Sequence, residues 1–468
     1  MIRTADEYRA GLSDGRRVFY RGGAVKDVVT DPDLRVAVDH SAIAFDLAHD
    51  PDPRIRQLAV DVVDGEECSA FYTVPRSADD LSRRSRLIET AARRGGGMIV
   101  LKEVGSDALF GLLRTLQGPG LERATAFHRR CQREDLAVAV AQTDMKGDRS
   151  RPPHRQPDPD LYVHVVDQDA ESIVVRGAKC HTSVTPNADE LVVLPTRAMS
   201  TDDADYAVSF AVPIDTPGLT MYASSYSAGE RNAFEFPISS RHKMLETLTV
   251  FDDVVVPKER VFLCREPEQA GPLALAFVDY HRFTAISYKL PLLDLLIGAA
   301  TLVAEANGIA HAGHVRDKLA QLIAYGETVR GLTQLAASRA QVDERGMARP
   351  DPLTVNMAKY TFAHGFHDAV AKLVDLAGGL LVTAPGGEDW DNPEIRPVLE
   401  KYFAAAVPAE ERLRLMHLIS DLTARDFGGY QMVLATHAEG SLEAEKLQLL
   451  RSYDSGPATA YARGLARV

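Results

Sequence analysis

The feature that most constrains this chain is a change of texture, made twice. Up to about residue 141, apolar residues recur mainly at helical spacing. From Gln142 they gather into short runs rich in Val, Leu, Ile and Tyr, and from about Leu273 helical spacing returns and lasts to the end. The middle runs cover 161–166, 172–175, 190–194, 206–212, 219–223 and 247–256. Turn residues such as Asp167, Pro186-Asn187, Asp202-Asp203 and Pro217-Gly218 separate them. Short strands with turn signals between them predict a small antiparallel sandwich or barrel. The last part predicts long helices over 273–307, 314–342, 354–376, 410–436 and 442–465, with Pro291 kinking or dividing the first. Long amphipathic helices in succession predict an antiparallel bundle.

The first part opens with Thr4 and Glu7, spaced as a capping box. Residues 16–25 read as a hairpin around Gly22-Gly23. Helical spacing covers 54–63, 81–94, 107–116 and 122–141, with Gly95-Gly96-Gly97 breaking the second of these. The fold class is therefore α+β in three domains: 1–141 mainly helical, 142–268 β, and 269–468 a helical bundle.

Charge and cysteine content narrow the function. With 66 acidic and 53 basic side chains the net charge is −13, which argues against non-specific binding to nucleic acid or an anionic membrane. Cys68, Cys131, Cys180 and Cys264 lie far apart, so closely spaced cysteine ligands for zinc or an iron–sulfur cluster are not signalled and no metal site is expected. Sparse cysteine, an N-terminus without a signal-peptide pattern, and an apolar stretch at 290–304 that falls short of the roughly 20 residues needed to span a bilayer together predict a soluble cytoplasmic protein. Neither G-x-G-x-x-G after a strand, nor a P-loop, nor G-x-S-x-G occurs.

Four constellations carry chemistry. At the helix-to-β boundary, Gln142, Thr143, Asp144, Lys146, Asp148 and Arg149 surround Gly147. Such a loop offers hydrogen-bond donors and two cations, the set that a flavin ring edge and a pyrophosphate require. A solvated helix-to-strand connection fits the same residues. After the strand at 172–175 come His181, Thr182 and Ser183, either cofactor contacts or an ordinary strand edge with a turn. His281, Ala285, Tyr288 and Lys289 share one helix face, with Arg282 beside them. Buried on an apolar helix these polar groups need partners, and a low-dielectric site tunes their pKa values. A capping histidine and a lysine reaching solvent are the alternative. Last, His437, Glu439, Gly440 and Ser441 open the final helix as an anion or flavin edge, or simply as a cap.

At these motifs the chain resembles a known family. Residues 3–32 look like the N-terminus of the 4-hydroxyphenylacetate 3-hydroxylases. AQTDMKGDRS (141–150), DPDLYVHVV (158–166), VVRGAKCHTS (174–183), ADELVVLPTRAM (188–199), the LAGGLLVTAPGG element (376–387) and HAEGS (437–441) resemble the 4-hydroxybutyryl-CoA dehydratase branch of the same superfamily. The resemblance spans nearly the whole chain. It implies an acyl-CoA-dehydrogenase-like fold, a homo-oligomer (tetramer or dimer), and FAD held by 142–149, by His181, Thr182 and Ser183, and by 437–441. It further implies a monooxygenase that uses reduced FAD from a separate flavin reductase.

The departures sharpen this. Where the dehydratase branch has cysteine cluster ligands, the chain has Ile99, Glu103 and Tyr288; only His281 of that set is kept, and Lys289 is retained. Neither an aliphatic side chain, a carboxylate nor a phenol readily replaces a cluster thiolate, so no iron–sulfur cluster is expected. The dehydratase's catalytic Tyr and Glu positions hold Ala285 and Leu434, and the hydroxylase's substrate positions hold Val104, Ala108 and Val140. The leading expectation is an FAD-dependent monooxygenase for a small organic substrate other than 4-hydroxyphenylacetate. His281 or Lys289 is its proton donor or base, with Arg282 and Tyr288 next. A cluster-free flavoenzyme acting on an acyl thioester, and a catalytically degenerate flavin-binding homologue, are the alternatives.

Overall fold

In the computed structural model, which describes residues 2–229 and 231–468, the helix Pro267–Ala306 is the axis of the molecule. A helix that is apolar on nearly all sides is a buried one, and Leu273, Phe277, Phe283, Ile286, Leu292, Leu296 and Val303 are all buried. It packs against Glu103–Thr115 and Ala78–Arg94 from the N-terminal part and against Gly313–Ser338 and Pro352–Ala377 from the C-terminal part. It runs as one helix through Pro272 and Pro291, undivided. By length and composition alone it could cross a membrane, but 67% of its most apolar window is buried inside the protein.

Local chemistry starts the helices where the spacing predicts. Thr4 and Glu7 form the reciprocal capping box, Ser77 caps the helix at 78–94, and Asp351 with Pro352 at the first position starts Pro352–Ala377. The β part is two sheets. One runs Gly23–Ala24, Val18–Tyr20, Leu219–Ala223, Thr247–Pro257, Ser172–Lys179, His164–Gln168. The other runs Val261–Cys264, Val208–Pro213, Glu190–Val193, Val138–Ala141. Alternate residues of Ser172–Lys179 are buried, as for a strand with one face on a core.

Several expectations are corrected. The sheets are mixed, because Val18–Tyr20 pairs parallel to Leu219–Ala223 and Val138–Ala141 parallel to Glu190–Val193. The helical reading of 122–141 fails at Asp135, whose φ of 52° ends Gly118–Glu134; the Val and Ala residues beyond form a strand buried along its length. That of 54–63 fails likewise: Pro53–Ala59 is helical, but Val60–Val63 forms a hairpin with Glu66–Ser69 over an Asp64-Gly65 turn with both φ positive. The stretch at 410–436 is two helices, Ala409–Thr423 and Asp426–His437, and 442–465 is two, Leu442–Ser452 and Gly456–Ala466.

Candidate active site

A cavity of about 380 Å³ lies between the sheet edge at Cys180, His181 and Thr247, the segment from Ser224 to Met244, and the helix Asp426–His437. Its lining is mostly apolar or aromatic, with Met98, Tyr222, Phe427 and Val433 among the contributors. Glu246 is the carboxylate of the sheet edge. It accepts from Ser183 Oγ at 2.8 Å and from Tyr430 Oη at 2.7 Å. Burial first, and then the Glu246 charge, push the Tyr430 phenol well above its ordinary value, so it stays a donor.

The Gln142–Arg149 loop abuts this cavity through Cys180, whose N–H donates to the Thr143 carbonyl at 2.8 Å. Two classes of residue separate here. Asp144 is structural: buried, it pairs with Lys179 Nζ at 2.9 Å and accepts from Val163 N at 3.0 Å and Thr196 Oγ1 at 2.6 Å. Gly147, at φ 50°, lets the loop close on Gln156; a Cβ there would come within 2.5 Å of Gln156 Oε1, which accepts from Asp148 N. The Asp148 carboxylate accepts from Ser150 N and Oγ. By contrast, the side chains of Gln142, Thr143, Lys146 and Arg149 have no hydrogen-bond or ion-pair partner among the described residues. His181, exposed at φ 55°, has none either. Thr182 turns inward onto Thr247 and Thr249. A loop that spends Asp144 on its own shape and leaves four donors free fits the donor demand of a flavin.

The third and fourth constellations meet, which the sequence did not foretell. Glu439 sits at φ 55°, and its carboxylate turns inward. It accepts from Tyr288 Oη at 2.5 Å and Lys289 Nζ at 2.9 Å, with Lys359 Nζ at 3.7 Å. Lys289 Nζ also donates to Tyr288 Oη at 2.8 Å. Arg282 Nε donates to the Glu439 carbonyl at 3.0 Å, and its guanidinium bonds Asn356. Burial opposes charge on Glu439, but Lys289, Lys359 and His281 outweigh it and hold the carboxyl at about 2. Burial lowers Lys289 to about 8 against the pull of Glu439. Glu439 is thus part of an ion network, not an exposed flavin contact; Gly440 and the cap Ser441, whose Oγ accepts from Ala444 N at 3.4 Å, are left at the turn with His437, which has no side-chain partner among the described residues. His281 donates from Nδ1 to Asp107 at 3.3 Å and stacks on Phe277. Asp107 also takes Arg84 at 2.7 Å and Thr284 at 2.9 Å.

Sequence reasoning missed Glu246, Tyr430 and Lys359, each a lone polar residue in an apolar pattern and without a motif. It weighed Glu103 only as a lost ligand. The structure shows Glu103 wholly buried, with neither carboxylate oxygen hydrogen-bonded among the described residues, and burial pushes its carboxyl well above the usual carboxylate range.

The models for the 4-hydroxyphenylacetate 3-hydroxylase N-terminal and C-terminal regions match residues 4–263 and 270–467. The chain belongs to this family. Over 100% of both chains it is 30% identical to 4-hydroxybutyryl-CoA dehydratase/vinylacetyl-CoA-Δ-isomerase of Clostridium aminobutyricum. Over 92% of this chain and 90% of the relative it is 31% identical to the oxygenase component of 4-hydroxyphenylacetate 3-monooxygenase of Thermus thermophilus. A solved structure of such an oxygenase component complexed with FAD is 29% identical and superposes over 99% of this chain and 98% of that chain with a TM-score of 0.92. Glutaryl-coenzyme A dehydrogenase, 14% identical at a TM-score of 0.53 over 95% and 93% of the two chains, shares the fold, so the acyl-CoA-dehydrogenase-like α+β architecture stands.

Proposed function

We propose that this chain is the oxygenase component of a two-component FAD-dependent monooxygenase acting on a small organic substrate other than 4-hydroxyphenylacetate. The observation that carries this reading is the strip of unpartnered donors, Gln142, Thr143, Lys146 and Arg149, abutting through Cys180 a mostly apolar cavity. Gln142, Thr143 and His181 would hold the flavin ring edge, and Lys146, Arg149 and the 440–441 turn its phosphates. Bound there, reduced FAD supplies the activation of molecular oxygen. The apolar lining, including Met98, Phe427 and Val433, excludes water from the reacting groups. His281 is the proton carrier of this reading: Asp107 fixes its Nδ1–H, and its Nε2 has no partner among the described residues. Lys289 and Tyr288, engaged with Glu439, and Arg282, engaged with its carbonyl, act as positioning residues. A flavin reductase as partner, a homo-oligomeric state and a cytoplasmic location complete the proposal. The outward Tyr461 and Leu465 of the helix Gly456–Ala466, which buries none of its residues against its own chain, support self-association.

Titration of the purified protein with dihydro-FAD, followed by oxygen uptake against a panel of phenols, tests it. Absence of flavin binding, or oxygen uptake that no substrate changes, would sink it. A second reading, a flavoenzyme acting on an acyl thioester, is favoured by the retained His281 and Lys289 beside an ionised Glu439 and by the full-length likeness to the dehydratase. Turnover with oxidised FAD in the absence of oxygen would select it.

A further inference from the structure

The Gly95-Gly96-Gly97 break has a structural consequence outside the helix that it ends. A Cβ on Gly95 would come within 2.8 Å of His40 Cε1, and one on Gly96 within 2.8 Å of His242 Cδ2. The glycines make room for two imidazoles packed edge to face, 5.4 Å apart at 76°. Their tautomers follow from their partners. His40 Nε2 lies 2.8 Å from the Ile99 carbonyl, which can only accept, so Nε2 carries the hydrogen. In the neutral ring His40 Nδ1 is then a bare acceptor. It lies 3.2 Å from His242 Nδ1, so that nitrogen must donate. His242 is left with Nε2 as a lone pair. Both rings are neutral near pH 7: burial lowers His40 to about 4, and burial together with the neighbouring ring lowers His242 to about 3.

His242 lines the cavity, and its Nε2 has no partner among the described residues. The nearby lining groups do not supply one. Ser239 Oγ donates to Asp421 at 2.7 Å, Tyr226 Oη to the Asp426 carbonyl at 2.9 Å, and Tyr430 Oη to Glu246. Lys243 Nζ, buried and without a hydrogen-bond partner among the described residues, lies 4.0 Å from Asp33 and makes no bond to His242.

We propose that His242 is a substrate-binding residue, locked by His40 as a pure acceptor, and that the substrate presents a hydroxyl donor to its Nε2. A hydroxyl-bearing ring, a phenol, suits a mostly apolar, aromatic-lined cavity of this volume. The binding claim rests on the cavity being the substrate site; the tautomer does not.

Two measurements test this on the full-length, FAD-loaded protein. Nitrogen-15 NMR of labelled histidines should show His242 protonated at Nδ1 and bare at Nε2, and His40 the reverse. A proton on His242 Nε2 overturns the proposal. In binding titrations phenol should exceed its methyl ether, anisole, by about tenfold, the scale of one polar group left unpaired. The gap should close in His242→Phe, with anisole affinity retained. His242→Asn, smaller and polar, serves as a second variant, its fold checked by flavin affinity. An unchanged gap in folded variants overturns the proposal, as does equal binding of both probes to the parent protein. If neither probe binds while FAD does, the binding proposal fails. If the variants lose FAD instead, His242 serves the flavin and the proposal fails.

Discussion

Replacing Glu439 by Gln isolates the charge at the centre of the ion network. Gln keeps the shape of the protonated acid and removes the anion between Lys289 at 2.9 Å and Lys359 at 3.7 Å. The carboxyl is held at about 2 against an ordinary 4.5. A gap of that size is worth about 3 kcal/mol of folding free energy near neutral pH. Breaking a buried pair from one side independently costs about 3–5 kcal/mol, so the two routes agree. The sign sets the pH window. A carboxyl whose folded pKa is depressed contributes fully above its unfolded value and loses that contribution as pH falls through the folded one. Urea unfolding at pH 7 should therefore show Glu439→Gln less stable by about 3 kcal/mol. The difference should narrow below pH 4.5 and vanish near pH 2. Replacing both partners, Glu439→Leu with Lys289→Met, should recover part of the loss, because the Lys289 charge leaves with its anion and the buried Lys359 keeps Glu445 at 3.3 Å. A Gln variant within about 0.5 kcal/mol of the parent at pH 7, or a deficit that persists unchanged to pH 2, would refute the reasoning.

Further substitutions probe other parts of the structure. Lys146→Gln and Arg149→Gln, both at surface cations without an ion-pair partner among the described residues, should each weaken FAD about tenfold at low salt and less at high salt, with unfolding unchanged; fluorescence titration reads this out. Gly105→Ala would drive a methyl group into the Val138 carbonyl and should cost more than about 3 kcal/mol by thermal or urea unfolding, since backbone on both sides must move. Gly440→Ala, at φ 110° and with its Cβ 2.5 Å from Arg282 Nη2, should destabilise by about 1–3 kcal/mol and weaken FAD in the same titration. Asp107→Asn strands the buried Arg84 and frees the His281 ring, so stability should fall by about 3 kcal/mol and the pH–rate profile should change shape.

What was legible in the sequence was what local chemistry decides. The cap at Thr4, the Gly22-Gly23 hairpin and the strand at 219–223 came from patterns within one element. The strand Val138–Ala141 was read as helix because four apolar residues in a row carry no period, and only its pairing with Glu190–Val193 makes it a strand. The hairpin at Asp64-Gly65 did carry its signal, outweighed by helical spacing upstream. At the site, the flavin loop was legible as a set of donors, but not which member is spent on the fold; Asp144 and Arg149 look alike in sequence, yet one is paired and buried and the other exposed and free. Glu246, Tyr430 and His242 escaped because a cavity is assembled from segments far apart in the chain.

The inward turn of Glu439 ties two functions to one residue. Its backbone belongs to the turn that opens the helix Leu442–Ser452, and its side chain is the counter-ion of the central helix. Holding a non-glycine residue at φ 55° is costly unless the surroundings over-determine it, and here three bonds do so: Tyr288, Lys289 and the Arg282 contact to its carbonyl. Arg282 crosses directly under Gly440, so the turn cannot shift without moving that guanidinium. Arg282, Tyr288 and Lys289 on the helix face at 281–289 are therefore tied mechanically to the turn proposed to hold the flavin phosphates. Lys289 at about 8 is charged near neutral pH and keeps Glu439 ionised; above that value the ammonium empties, the Glu439 charge loses its nearest partner, and the turn loses one of its three restraints. Alkaline loss of flavin affinity that disappears in the apolar Glu439→Leu/Lys289→Met pair is the signature this coupling demands.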